Sequence, residues 1–254
     1  MKMLFMGRKS YAAEMLAWSV EKGIEVVGVV TDSHFSNSPT MKMAKSLGLS
    51  IISLKEAEEN FRYNSGYADL VISYLYWEKI KEPLISMPTL GCINFHPAIL
   101  PDWRGTAGYN IAILNKLTEW GATAHYVDQS IDTGGIIKVF KFNFDFREET
   151  AFSLEEKTQK IQQDLYKSTI LDVLEKGNLA SIKQSKNEGT YISRKQMEEM
   201  KKIDIKKDDI DLKIRAFWFP PYTGAFLQIN GKKYTLINSD ILKQLAKKGE
   251  TSNI

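Results

Sequence analysis

At 254 residues the chain can bury one large core with an appendage, or two small ones. Hydrophobic residues at 43% and charged residues at 26% are globular values that exclude disordered and fibrous architectures. A net charge of +3, without long single-sign blocks, argues against a protein that wraps a polyanion, and one cysteine excludes both a disulfide framework and Cys-clustered zinc.

The apolar run at the start, Met1 to Met6, is too short for a signal-peptide core or a membrane span, so a soluble, cytoplasmic protein is expected. Short apolar runs then alternate with amphipathic stretches, which is the pattern of βαβ units. Strands are predicted at residues 2–6, 25–30, 50–52, 69–73 and 91–95, with helices at 11–21 and 40–47. Alternating patterns over 122–127 and 136–144 predict antiparallel additions to the sheet, and a helix over 153–175 is stopped by Gly177-Asn178. The expected fold is α/β: a Rossmann-like, mixed, mostly parallel sheet with helices on both faces, over residues 1–183. Residues 184–254 are expected to form a small β appendage, with a hairpin over 225–237 turning at Asn230-Gly231.

Asn94-Phe95-His96-Pro97 leaves the predicted fifth strand, and Asp132 follows in the segment Val127 to Gly135. An amide N–H can hold a developing oxyanion, an imidazole can move a proton near neutral pH, and a carboxylate can orient that imidazole and favour its protonated form. Asn94 and His96 are two apart on extended chain, so both side chains face one side. The plain alternative is that Asn94 and His96 cap a strand end while Asp132 starts the turn into Thr133-Gly134-Gly135. Of the other histidines, His125 reads as a half-buried strand residue and His34 as exposed in a polar loop; Cys92 reads as a small core residue. No cluster has metal-ligand spacing, so no metal is expected.

Glycine fingerprints for dinucleotides and triphosphates are missing from the sequence. Gly7-Arg8-Lys9-Ser10 nonetheless occupies the first strand-to-helix turn, where backbone N–H groups, a hydroxyl and two cations could face a pyrophosphate; an ordinary solvated turn is the equal alternative. The segment from Ser73 to Ile80 follows the fourth strand, at the carboxyl edge where open α/β sheets bind ligands.

Three ordered blocks stand out: Asn94, His96, Pro97; then Leu100, Pro101, Arg104, Gly105; then Val127, Asp128, Asp132, Gly134, Ile136. Together they resemble the folate-dependent formyltransferases over roughly the first 180 residues. The resemblance implies 10-formyltetrahydrofolate as formyl donor, an amine as acceptor, and Asn94, His96 and Asp132 as the catalytic groups, with no metal. It further implies a pterin enclosed, largely by backbone groups, between the loop of Tyr74, Leu75 and Tyr76 and the loop of Val127, Asp128 and Ile131. Arg8, Ser10, Lys79 and Arg104 are then expected to face the acceptor.

The tail segment Arg215-Ala216-Phe217-Trp218-Phe219-Pro220-Pro221-Tyr222 resembles one found in formyltransferases that act on nucleotide-linked amino sugars. Prolines stiffen a segment that displays aromatic faces, and such faces can stack on a nucleobase; Tyr222 is the stacking candidate, with packing of the appendage as the alternative. The expected function is N-formylation of a dTDP- or UDP-linked amino-deoxy sugar in bacterial surface glycan synthesis, such as that of lipopolysaccharide O-antigen. Methionyl-tRNA, glycinamide ribonucleotide and a carrier-bound aminoacyl group are the alternative acceptors, and a non-catalytic folate-binding protein is the alternative of a different class. Expected partners are the nucleotide-linked amino sugar and folate, without nucleic acid or membrane; a homodimer is compatible with the sequence.

Overall fold

The computed structural model describes residues 1–32, 37–106, 108–185 and 188–251; His34 therefore lies outside the described residues. In chain order the elements are β1 (Lys2–Gly7), α1 (Lys9–Glu21), β2 (Glu25–Val30), α2 (Pro39–Ser46), α3 (Leu54–Tyr63), β3 (Leu70–Tyr74), β4 (Cys92–His96), β5 (Trp103–Gly105), α4 (Gly108–Leu114), β6 (Glu119–Tyr126) and β7 (Ile136–Asn143). They continue with α5 (Ala151–Lys176), β8 (Thr190–Ile192), α6 (Arg194–Met200), α7 (Ile210–Phe217), β9 (Phe226–Ile229), β10 (Lys232–Thr235) and α8 (Ser239–Thr251).

Six strands form one sheet in the order β2-β1-β3-β4-β6-β7. β1 runs parallel to β2 and to β3, β3 runs parallel to β4, and β6 runs antiparallel to β4. Alternation along each strand sends side chains to opposite faces. Met3, Phe5, Ile72, Tyr74, Ile93 and Phe95 pack with residues of α1, α2 and α5, while Leu4, Met6, Val71 and Cys92 pack with Ala57 and Phe61 of α3. The sheet is thus mixed, mostly parallel and covered on both faces, and the antiparallel hairpin β9–β10 is present in the tail. The order reverses beside β1, which places the carboxyl ends of β1, β3 and β4 at the topological switch where such sheets bind ligands.

Two expectations change. Residues 50–52 make one parallel bridge, Ile51 to Val29, in place of a strand, because Ser53 and Glu56 close a capping box that starts α3 at once. The tail also holds more than a hairpin. It carries α6, α7 and α8, the first two capped by Ser193 and Asp209, and their seven or eight residues are too few to stand out by periodicity.

Residue contacts divide the chain into two compact units. The first, Met1–Arg104, Gly121–Lys141 and Thr158–Thr190, contains the parallel strands and their helices. The second consists of Gly105–Trp120, Phe142–Lys157 and Tyr191–Ile254. Inside it, Arg215 donates to the carbonyl oxygens of Phe146 and Glu149 and pairs with Asp211, while the Asn110 amide donates to the Ala216 carbonyl. Among the described residues no helix is long and apolar enough to cross a membrane.

Candidate active site

Asn94 and His96 occupy the carboxyl end of β4, and the antiparallel register sets His125 of β6 directly opposite Asn94. Cross-strand partners project to the same face, so the amide and both imidazoles meet there. Asn94 Nδ2 lies 3.1 Å from His125 Nε2, and the two histidine rings stand 6.4 Å apart between centroids, nearly perpendicular. Asp132 enters from the turn between β6 and β7, with one carboxylate oxygen 3.6 Å from His96 Nδ1 and the other 3.5 Å from His125 Nε2. The sequence-predicted trio is therefore assembled. His125, expected to be a half-buried strand residue, is fully buried within it.

The remaining ring nitrogens decide the tautomers. His125 Nδ1 is 2.8 Å from the Tyr126 carbonyl oxygen, which can only accept, so Nδ1 carries a proton, and in the tautomer with the proton there alone Nε2 accepts from the Asn94 amide. This orients Asn94 with its NH₂ toward His125, leaving the second N–H to be offered to a ligand. His96 Nε2 is 2.9 Å from the Trp103 carbonyl oxygen by the same logic, so the Nε2 proton is held there and the Nδ1 lone pair turns toward Asp132. A proton taken up at Nδ1 arrives beside a carboxylate. His96 and Asp132 side chains are only 8% and 12% exposed, so that pairing is weakly screened.

Asp132 stands in the left-handed region at φ 56°, a conformation that aspartate tolerates better than most residues. Its turn is closed from within by Asp128, whose carboxylate accepts from the Ser130 N–H at 3.0 Å and the Thr133 hydroxyl at 2.6 Å. Gly134 has no room for a side chain, since a Cβ there would collide with the Tyr126 carbonyl oxygen. Val127 donates its N–H to the Cys92 carbonyl at 2.7 Å, and Ile131 is exposed at the turn's tip.

The second expected ligand loop follows β3. Tyr74 is buried, packs on Phe95 and Tyr166, and donates its hydroxyl to Gln159, so its side chain belongs to the core and only its peptide groups can meet a ligand. Leu75 is left-handed at φ 56°, and its carbonyl accepts from Arg8 Nε at 3.1 Å. Tyr76 donates to Glu78 at 3.1 Å; burial and then the Glu78 charge push its hydroxyl pKa upward, keeping it a neutral donor. Among the described residues no group of three or more His, Cys, Asp or Glu is arranged to hold a metal ion.

The expected acceptor-facing residues are scattered. Arg8 ties the β1 turn to Leu75 and lies 3.9 Å from Asp32, while Ser10 in the first turn of α1 and Lys79 are exposed. Arg104 turns inward: it is 7% exposed, with Nε and Nη2 on Gln184 Oε1 at 3.3 and 3.0 Å and Nη2 on the Ser185 carbonyl at 3.0 Å. Tyr222 belongs to the second unit, is 59% exposed, and has its ring 5.9 Å from that of Phe219.

A family model described as formyl transferase matches residues 1–170. The chain is 32% identical over 251 residues to a methionyl-tRNA formyltransferase of Halothermothrix orenii, an alignment that covers 91% of this chain and 76% of the relative. Among solved structures it is similar to the N-formyltransferase of Helicobacter canadensis in complex with folinic acid and dTDP-3-aminofucose: 25% identity, TM-score 0.75, 92% of this chain and 86% of that one. It is also similar to a 4-N formyltransferase of Francisella tularensis: 25% identity, TM-score 0.74, 93% and 96% of the two chains.

Proposed function

Because the chain belongs to the formyl transferase family, we propose that it carries a formyl group from 10-formyltetrahydrofolate to the amino group of a nucleotide-linked amino sugar. Leu75, Tyr76, Val127 and Ile131 would hold the donor between the two turns, and the donor when bound supplies the formyl carbon. The chain's own groups divide the remaining work. The second N–H of Asn94 stabilises the formyl oxygen as it gains charge, an arrangement typically worth about 3 kcal/mol. As the acceptor nitrogen bonds to the formyl carbon, His96 takes its proton at Nδ1 and Asp132 stabilises the imidazolium so formed; the proton then passes to the donor nitrogen as its bond to the formyl carbon breaks. His125 keeps the Asn94 amide turned toward the oxyanion.

The amino-sugar acceptor rests on the likeness to the Helicobacter canadensis enzyme across most of both chains. The Phe219-Pro220-Pro221-Tyr222 segment supports it, because it leaves an aromatic ring exposed where a nucleobase could stack. Methionyl-tRNA is the second reading, carried by the 32% identity to the Halothermothrix orenii relative. Incubation with 10-formyltetrahydrofolate and a panel of dTDP- and UDP-linked amino sugars, glycinamide ribonucleotide and charged initiator tRNA, followed by tetrahydrofolate release, separates them. Turnover with a sugar nucleotide alone is expected; turnover with the tRNA alone removes the sugar assignment. If Tyr222 stacks on the base, Tyr222→Ala raises the KM for the sugar nucleotide about tenfold and leaves the donor's KM unchanged, since base stacking is worth roughly 1 to 3 kcal/mol. Equal weakening toward both substrates would make the ring a packing residue.

A further inference from the structure

We propose that Gln184, clamped by Arg104, is a positioning residue that holds the Asp132 turn in its left-handed shape. The proposal rests on the catalytic role given to Asp132 above. Gln184 is 7% exposed, and its amide has only one workable orientation. Arg104 Nε and Nη2 lie on one side, so that side must be the amide oxygen; the carbonyl oxygens of Asp132 at 3.1 Å and Gly134 at 2.6 Å lie on the other, so that side must be the NH₂. Each amide hydrogen thus has its own carbonyl on the turn, and the two carbonyls flank Thr133. The turn that presents Asp132 is gripped at both ends by one side chain.

The placement of Gln184 is itself secured. Ile182, two residues earlier, exchanges two backbone hydrogen bonds of 2.8 Å with Ile136 at the start of β7. Gly135 lets that segment approach, because a Cβ there would press on the Ser181 hydroxyl. Arg104 completes the grip, and its neighbour Trp103 supplies the carbonyl that holds His96 Nε2. The dipeptide Trp103-Arg104 therefore braces both partners of the His96–Asp132 pair, one by a main-chain oxygen and the other through Gln184. An aspartate at positive φ on a turn closed mainly by its own Asp128 needs such support, because the left-handed conformation is disfavoured for a non-glycine residue.

Two substitutions of the full chain test the brace. Gln184→Met keeps the length and removes both donors; Gln184→Glu keeps the shape and strengthens the contact with Arg104, yet has no N–H for the two carbonyls. In both, amide hydrogen exchange across residues 128–134 should rise about tenfold or more, while β4 exchanges as before. The proton resonances of the His96 ring, in a chain with three histidines, should move in the direction seen for Asp132→Asn, a change that a merely structural role would not produce. Unchanged exchange over the turn in either folded variant overturns the brace, and so does raised exchange with unmoved His96 signals. The catalytic role of Asp132 fails separately, through wild-type turnover of Asp132→Asn.

Discussion

The site joins two supports of different kinds. Asn94, His96 and His125 stand on β4 and β6, where the ladder and the antiparallel register set their spacing. Asp132 stands on a turn, where no ladder does so. Its position comes from a left-handed backbone, an Asp128 carboxylate folded back on its own turn, the close approach of Gly134 to Tyr126, and the Gln184 amide. The difference teaches that a strand-mounted group fails mainly by losing its own chemistry, whereas a turn-mounted group can be disabled from several residues that touch no substrate.

The strand side should show the largest effects. His96→Ala and Asn94→Ala are each expected to lower kcat by ~100-fold or more, while the melting temperature and the affinity for the donor stay near wild type. Stopped-flow or tetrahydrofolate-release kinetics check this, and near-normal turnover in both would remove the mechanism. His125→Ala should cost about tenfold in kcat, the scale of one orienting hydrogen bond of about 1.5 kcal/mol, with His125→Gln recovering part of it because its carbonyl still accepts from Asn94.

On the turn side, Gly134→Ala should cost about 3 kcal/mol of stability or more, because the added methyl would lie 1.8 Å from the Tyr126 carbonyl oxygen and 2.7 Å from its carbon, main-chain atoms that cannot swing aside. Denaturant unfolding measures the stability loss, and kcat should fall with it although no catalytic group has changed. If the variant is destabilised but turns over normally, the turn tolerates displacement and the contrast between the two supports disappears.

The smallest effect is expected where β7 leaves the turn. Lys138 of β7, with Lys176, hydrogen-bonds Asp172 of α5 and holds its carboxyl down at about 2. A folded pKa below the unfolded one means the contribution is fully present above the ordinary carboxylate range of about 3.9 and is lost as pH falls through about 2. Asp172→Asn should therefore lower the melting temperature slightly at pH 5 to 7, and the difference from wild type should shrink toward zero near pH 2. A difference that persists in acid would assign the residue a packing role.

Much of the site was legible before any coordinates. Asn94 and His96 declare themselves by residue type and two-residue spacing, and the Thr133-Gly134-Gly135 stretch marks a turn beside Asp132. His125 was passed over because nothing local reveals which residue of one strand faces which residue of another; the register that pairs it with Asn94 spans 31 positions. The protein partners of Arg104 were hidden for a related reason: only the return of residues 182–185 to the sheet brings Gln184 and the Ser185 carbonyl to its guanidinium. In the tail, the hairpin was visible through Asn230-Gly231, while α6 and α7 were too short to produce a periodic signal.

By itself the sequence determined the alternation of strands and helices, the candidate catalytic groups and the positions of turns, because these depend on side-chain chemistry and on patterns a few residues long. The tertiary structure decided the rest: the pairing of Asn94 with His125, the tautomers set by the Trp103 and Tyr126 carbonyls, and the support of Asp132 by Gln184. The first and the last of these join residues 31 and 52 positions apart through hydrogen bonds of about 3 Å, and such contacts exist only after the sheet has closed its register and the core has packed around it.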